Sequence, residues 1–187
     1  MNSNTDCREL MSFQLIAAKS WLQRAKKSKD VYTRFLLYFS GFNALFLLWS
    51  KIDHHDSKHD YEQITNLILK FEESTAQHML DQSKTSLNYF RKRKPVARMI
   101  ARTCQEPEKY DESYGRKWKQ QLDESNQSAV ERLVALGQII YLVRCNLIHG
   151  SKVPEDDELT VSKSLKPLKL LLENSIKFTK NCMSKDA

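Results

Sequence analysis

The scarcity of glycine and proline is the feature that most narrows the folds open to this chain. Its 187 residues contain four Gly and four Pro, whereas β-sandwiches and β-barrels use both residue types in many turns. The nearest pair of glycines, Gly137 and Gly150, is 13 residues apart. The chain therefore has no glycine-rich loop of the kind that binds phosphate in Rossmann and P-loop proteins. A mostly helical domain remains.

Apolar residues recur with the period of an α-helix along most of the chain. The first helix has an apolar face formed by Leu10, Phe13, Ala17, Trp21 and Ala25. We predict core helices over about residues 6–28, 30–52, 60–73, 128–149 and 157–182.

Short polar motifs mark where several of these helices begin. Asp30 is a suitable N-cap for the second helix, which runs to about Ile52. The spacing of Asp60 and Gln63 predicts a capping box for the third helix. Ser128 and Glu131 have the same spacing at the start of the fourth. In the last helix, Pro167 either introduces a kink or marks a second start.

A chain of this length forms one domain and needs no disulfide or metal to fold. We predict an all-α, antiparallel bundle of four to five helices, with core helices at about 6–73 and 128–182. Residues 74–125 contain two prolines and read as an irregular, basic insertion of short helices and loops.

The remaining composition predicts a cytoplasmic protein without a cofactor. The longest apolar run, 35–49, is too short and too polar for a membrane span, and is better explained as a central core helix. The chain has four scattered cysteines without a Cys-x-x-Cys pair, and no apolar signal segment opens it. His55 and His59 are four residues apart, but they lie in an exposed loop, so we expect no metal site.

Positive charge is concentrated in one stretch. The net charge is +7, and residues 84–103 contain seven Lys and Arg without an acidic residue. Such a local excess suits a polyanion such as nucleic acid, although a solvated basic loop explains it equally well. If the stretch binds RNA, the residues that contact phosphate are Arg91, Lys92, Arg93, Lys94, Arg98 and Arg102.

The end of the fourth predicted helix combines apolar residues with residues able to do chemistry. Arg144 follows a strongly apolar run, where a charge is costly unless it faces a cleft or a partner. His149 lies at the C-terminal end, where the helix dipole favours its protonated form. Cys145 and Asn146 share a face with His149 because they are four and three residues away.

This helix end resembles the motif of the HEPN family. The likeness rests on an Arg and a His separated by four residues before Gly, in the phrase Arg-Cys-Asn-Leu-Ile-His-Gly at 144–150. The aromatic segment Phe-Asn-Ala-Leu-Phe at 42–46 is similar to the second helix of many bacterial members. The resemblance covers about two thirds of the chain and excludes residues 74–125.

The resemblance implies a HEPN-type bundle that dimerises around its motif helix. Many members are metal-independent endoribonucleases of toxin–antitoxin, phage-defence or RNA-processing systems. By that likeness Arg144 and His149 form the catalytic pair, and the two protomers share one cleft. Such an enzyme uses the 2′-OH of RNA as nucleophile, with His149 as acid–base group and Arg144 on the phosphoryl oxygens.

Four further residues are expected to support the active site, and one to bind RNA. The supporting residues are Tyr141, Cys145, Asn146 and Asn43, and Lys152 is added to the RNA-binding residues. In active members a polar residue usually follows the motif Arg, and here Cys145 stands there. A catalytically silent module that binds nucleic acid or a partner protein is therefore the alternative.

The control of the predicted nuclease is left open. Some HEPN toxins carry a Tyr two residues after the motif His, which a partner nucleotidyltransferase modifies. Ser151 stands at that position in this chain. The chain therefore lacks the residue on which this mode of control acts, and an antitoxin or nucleotidyltransferase partner is implied by the resemblance alone.

Overall fold

The computed structural model of the protein describes residues 3–53, 59–92, 121–123, 127–148 and 154–185. Within these ranges all regular secondary structure is helical, which confirms the predicted all-α class. The helices are α1 (Ser3–Lys27), α2 (Val31–Ile52), α3 (Asp60–Ile68), α4 (Glu73–Gln82), α5 (Lys84–Lys92), α6 (Ala129–Ile148) and α7 (Pro154–Lys185).

A short loop at 28–30 folds α1 and α2 into an antiparallel hairpin. Asp30 caps α2 as predicted, because its carboxylate accepts a hydrogen bond of 2.6 Å from the backbone N–H of Thr33. Hydrogen bonding to Thr33 is the main reason that the pKa of Asp30 lies below its usual value. The Arg34 guanidinium donates to the carbonyls of Ser28 at 3.1 Å and Lys29 at 3.2 Å, which closes the loop. We call the end of the bundle formed by residues 28–30 the hairpin end.

The buried face of α1 differs from the predicted one. Phe13 was expected in the core but is 67% exposed. Phe13 and Leu15 are about 200° apart on the helix, so only one of them can face the bundle. The small side chains of Ala18 and Ala25 lie on the Leu15 side, where they allow close packing. The buried face consists of Met11, Leu15, Ala18, Leu22 and Ala25.

Helix α2 lies at the centre, as predicted, and Gly41 marks where three helices meet. A Cβ at Gly41 would lie 3.0 Å from Cδ2 of Leu172 in α7 and 3.2 Å from Cβ of Trp21 in α1. Further along α2, the indole N–H of Trp49 donates to Thr179 of α7 at 3.0 Å. Residue numbers therefore rise together along α2 and α7. The two helices run parallel, whereas the sequence had predicted an antiparallel bundle throughout.

Within the described ranges, α2 is the one helix long and apolar enough to cross a membrane. Buried core helices share that property. In this structure 56% of its most apolar window is buried by the other helices.

Helices α3 and α6 pack closely and run antiparallel. Gln138 donates its side-chain amide to the Thr65 hydroxyl at 3.0 Å. A Cβ at Gly137 would lie 2.6 Å from Cδ1 of Ile68, so the two helices meet at a glycine. Since Lys70, just beyond α3, forms an ion pair of 2.8 Å with Asp53 at the end of α2, α3 runs parallel to α2. The C-terminus of α6 therefore points toward the hairpin end.

The predicted capping box of α3 is wrong. The N-cap is His59, and the helix ends at Ile68 rather than near residue 73. Gln63, expected to reach back to the cap, is buried in the core. Packing against other helices therefore places the Gln63 side chain in the core, where it cannot cap α3.

The capping box of α6 is confirmed. The backbone N–H of Glu131 donates to the Ser128 hydroxyl at 3.2 Å, and the N–H of Ser128 donates to the Glu131 carboxylate at 2.8 Å. A third bond comes from α4, where the Glu73 carboxylate accepts from the N–H of Ala129 at 2.9 Å. The start of α6 is thus fixed from two directions.

The start of the predicted insertion forms two short helices, as expected, and they belong to the core. Residues 74–92 fall almost entirely within α4 and α5, whose apolar faces bury Met79, Leu80, Leu87 and Phe90 in the core. Residues 93–120 and 124–126 lie outside the described part of the chain. Helix α7 begins and ends about three residues beyond its predicted bounds, and it continues through Pro167.

Candidate active site at the end of α6

Arg144 is half-buried and rests on an aromatic ring of α2. Its Cζ atom lies 5.6 Å from the centroid of the Phe39 ring, a cation–π arrangement. No carboxylate within the described residues forms an ion pair with Arg144. The ring therefore orients the guanidinium while its five N–H donors stay available for a phosphate.

Tyr141 packs against the same ring. Its ring centroid is 6.5 Å from that of Phe39. Burial is the main reason that the pKa of Tyr141 is raised far above its usual value, and the neighbouring Cys145 and the charge of Asp60 add to this. The nearby Arg144 has the opposite effect. Tyr141 is therefore a neutral hydroxyl at any physiological pH.

The other supporting candidates on these helices differ in exposure. Asn146 is 3% exposed and faces the core, about 200° around α6 from Arg144. Cys145 and Asn43 are half-buried. Asn43 lies one turn beyond Phe39 on α2 and shares its side of that helix. The structure thus brings Tyr141, Cys145 and Arg144 together near Phe39, and separates Asn146 from them.

Several predicted site residues lie outside the described part of the chain. They are His149, Ser151, Lys152, Arg93, Lys94, Arg98 and Arg102, together with residues 54–58 of the histidine-rich loop. Of the predicted catalytic pair, the structure therefore places Arg144 alone. Among the described residues, no group of three or more His, Cys, Asp or Glu side chains could hold a metal ion.

Two residues of the basic stretch are described at the end of α5. Lys92 is exposed. Arg91 is half-buried and donates to the carbonyl of Leu122 at 2.8 Å. Because this bond joins α5 to a segment 31 residues further along, Arg91 has a structural role whatever else it binds.

A strip of α2 that includes two exposed leucines lies on the face beside Phe39. Leu36, Ser40, Asn43 and Leu47 recur at intervals of four, three and four, so they share one face. Leu36 and Leu47 are 41% and 36% exposed. The strip, which we call the α2 strip, lies between the Gly41 side of α2, where α1 packs, and the Phe39 side, where Arg144 lies. On α6, the half-exposed Ile148 is one turn beyond Arg144.

The sequence did not single out Phe39 or the α2 strip. Helix α2 is apolar nearly all round, so no gap in its pattern marks an exposed face. Phe39 is one of several phenylalanines on α2, and only the crossing of α6 selects it. Its position four residues before Asn43 was the one available signal.

No family model matches the chain, and no significant match was found among curated proteins or solved structures.

Proposed function

We propose that the protein is a metal-independent endoribonuclease of HEPN type, acting in phage defence, as a toxin or in RNA processing. One observation carries the proposal: the guanidinium of Arg144 is held over the Phe39 ring, with no carboxylate partner among the described residues. A half-buried cation without a counter-ion requires compensation, and an RNA phosphate supplies it. The sequence motif that begins at Arg144 supports the same reading.

The proposed chemistry needs no metal or cofactor. His149 takes the proton of the ribose 2′-OH, or returns one to the 5′-oxygen that leaves. The oxygen of the 2′-OH attacks the adjacent phosphorus and forms a cyclic phosphate as the P–O5′ bond breaks. Arg144 donates to the non-bridging oxygens, whose charge grows in the transition state. A positioned His contributes typically about 10²–10⁴-fold.

The α2 strip supports a two-fold dimer as the active form. Leu36 and Leu47 expose apolar surface on the face of α2 beside Phe39, and Ile148 is exposed on α6 one turn beyond Arg144. A two-fold contact through one self-complementary patch brings the same surface of both copies together. Two Arg144 side chains then line one cleft. A stable interface of this kind buries on the order of 1,500 Å².

Cleavage of RNA in EDTA tests the proposal. We expect the wild type to cleave single-stranded RNA without added metal and to leave 2′,3′-cyclic phosphate ends. His149→Ala and Arg144→Ala should each lose at least about a hundredfold in rate while keeping the wild-type circular dichroism spectrum. Arg8→Ala is the matched control, because Arg8 is exposed on α1 near the opposite end of the bundle. Normal cleavage by His149→Ala would contradict the proposal.

The residue after the motif Arg favours a second candidate function. Cys145 is half-buried, and it stands where active family members usually have a polar residue. A wild type that binds RNA in EDTA but cleaves none over many hours would identify the protein as a catalytically silent RNA-binding module.

A further inference from the structure

A second concentration of positive charge lies on the α1–α2 hairpin. Between residues 19 and 34 the chain has six basic residues and one acidic residue, a net charge of +5 (6 − 1). The excess is comparable with that of residues 84–103. Unlike that stretch, the hairpin is described in full. Its basic side chains are Lys19, Arg24, Lys26, Lys27, Lys29 and Arg34.

Four of these side chains, Lys19, Arg24, Lys27 and Lys29, are exposed and have no acidic partner among the described residues, and Lys27 and Lys29 are the two nearest the loop. Lys26 forms an ion pair of 3.2 Å with Glu173, and Arg34 is bonded to loop carbonyls. Lys27 and Lys29 are exposed, and no described carboxylate pairs with either. The one acidic side chain of the hairpin, Asp30, is engaged in capping α2. The hairpin therefore presents uncompensated positive charge to solvent.

Helix α7 has two further lysines near the hairpin end. Leu172 of α7 lies beside Gly41 of α2, and the two helices run parallel. With the same rise per residue in both helices, residues 163–166 of α7 lie level with about residues 32–35 of α2. Lys163 is half-buried and Lys166 is exposed.

The candidate active site lies near the same end. Phe39, whose ring contacts the Arg144 guanidinium, is eight residues from Val31, or about 12 Å along α2. Helix α6 continues from Arg144 toward the hairpin end through Ile148. A chain of phosphates bound at Arg144 can therefore reach the hairpin within a few nucleotides.

We propose that the hairpin end, through Lys27, Lys29, Lys163 and Lys166, binds the phosphate backbone of an RNA strand whose reactive phosphate lies at Arg144. This inference rests on the proposed function. The lysines are not arranged around a pocket, so the contact is electrostatic and independent of base sequence.

Charge reversal on the hairpin tests the proposal. Binding of a fluorescein-labelled, single-stranded 20-nucleotide RNA is followed by anisotropy between 0.05 and 0.4 M salt, in the Arg144→Ala background to prevent cleavage. We expect Lys27→Glu/Lys29→Glu to flatten the slope of log K against log salt by about 1.4, because two phosphate contacts are lost at about 0.7 each. At 0.1 M salt this corresponds to roughly 25-fold weaker binding.

A matched control separates a local contact from total charge. Lys177→Glu/Lys180→Glu changes the net charge by the same amount at exposed positions of α7, near Trp49 and away from the hairpin end. This control should keep the wild-type slope. Equal losses in both double variants, or no loss in the hairpin variant, would overturn the proposal. Polyglutamate that competes as strongly as RNA of equal charge would overturn it in favour of an acidic protein partner.

The proposals for the hairpin and for the nuclease can fail separately. If the hairpin variant loses RNA binding and the wild type cleaves nothing, the proposal for the hairpin is supported and the nuclease proposal is contradicted. If the hairpin variant binds RNA normally and the wild type cleaves RNA without metal, the nuclease proposal is supported and the proposal for the hairpin is contradicted.

Discussion

Arg144 and Phe39 form a cation–π pair with 5.6 Å between Cζ and the ring centroid, and this pair joins α6 to α2 at the candidate active site. The position of the guanidinium depends on both residues. Because Phe39 is almost fully buried, its ring is a fixed platform. The direction of the guanidinium is therefore set by a residue 105 positions earlier in the chain.

Phe39→Leu tests whether the ring positions Arg144. The substitution keeps an apolar side chain but removes the π face, worth about 0.5–1 kcal/mol. We expect kcat for RNA cleavage to fall about two- to fivefold, with little change in RNA affinity. Phe42→Leu is the control, because Phe42 is also buried in α2 but contacts Phe46 rather than Arg144. Equal loss of kcat in both variants would mean that only core packing matters.

Charge on the α2 strip should abolish the dimer. Leu36→Asp combined with Leu47→Asp places two carboxylates in the proposed apolar interface, where they would have to be desolvated. We expect a monomer in sedimentation velocity at 10 μM, with loss of cleavage and a helical spectrum unchanged. Leu69→Asp changes a leucine that is 55% exposed outside the strip and should leave the dimer intact. A dimeric double variant would place the interface elsewhere.

The contact between α6 and α3 predicts a substitution whose cost depends on its neighbour. Gly137→Ala should destabilise the wild type by about 1 kcal/mol, since overpacking costs roughly 1–3 kcal/mol and helix propensity returns about 1. In the Ile68→Val background the Cδ1 atom is absent and the nearest remaining atom is Cγ2 of Ile64 at 3.3 Å, so the same change should cost less. Urea unfolding of the four variants measures the coupling. Additive effects would show that the glycine is not required by this contact.

The stability of the protein should fall at alkaline pH through Tyr141. The folded state raises the pKa of this hydroxyl above its ordinary value of 10.0, so above pH 10 the unfolded chain releases the proton first. The free energy of unfolding is therefore unaffected by Tyr141 below that pH, and declines above it by at most about 1.4 kcal/mol per pH unit. Urea unfolding between pH 8 and 11 should show a shallower decline in Tyr141→Phe. Parallel declines would contradict the assignment.

Local signals predicted the parts of the fold that depend on neighbours in the chain. Asp30 and the pair Ser128–Glu131 cap their helices because the required groups are within three residues. Asp60 and Gln63 have the same pattern, yet Gln63 is buried by other helices. The burial of Leu15 in place of Phe13 likewise depends on which side of α1 meets α2 and α7. Such choices are made by tertiary packing, which a single sequence does not display.

Some residues of the candidate site could likewise be predicted from the sequence, and others could not. Arg144 could be predicted, because a charge after a long apolar run needs a reason to be there. Phe39 could not be distinguished from Phe35, Phe42 and Phe46 on the same apolar helix. The α2 strip could not be predicted either, since exposed and buried leucines in α2 are alike in sequence.

The hydrogen bond from Ala129 to Glu73 has a consequence for how this chain can vary. It sets the start of α6 from a side chain 56 residues upstream, while the bond from Arg91 to Leu122 holds the two ends of the intervening stretch. The register of α6, and with it the position of Arg144, is therefore independent of how many residues separate these anchors. Insertions or deletions within 93–120 should therefore leave the geometry beside Phe39 unchanged.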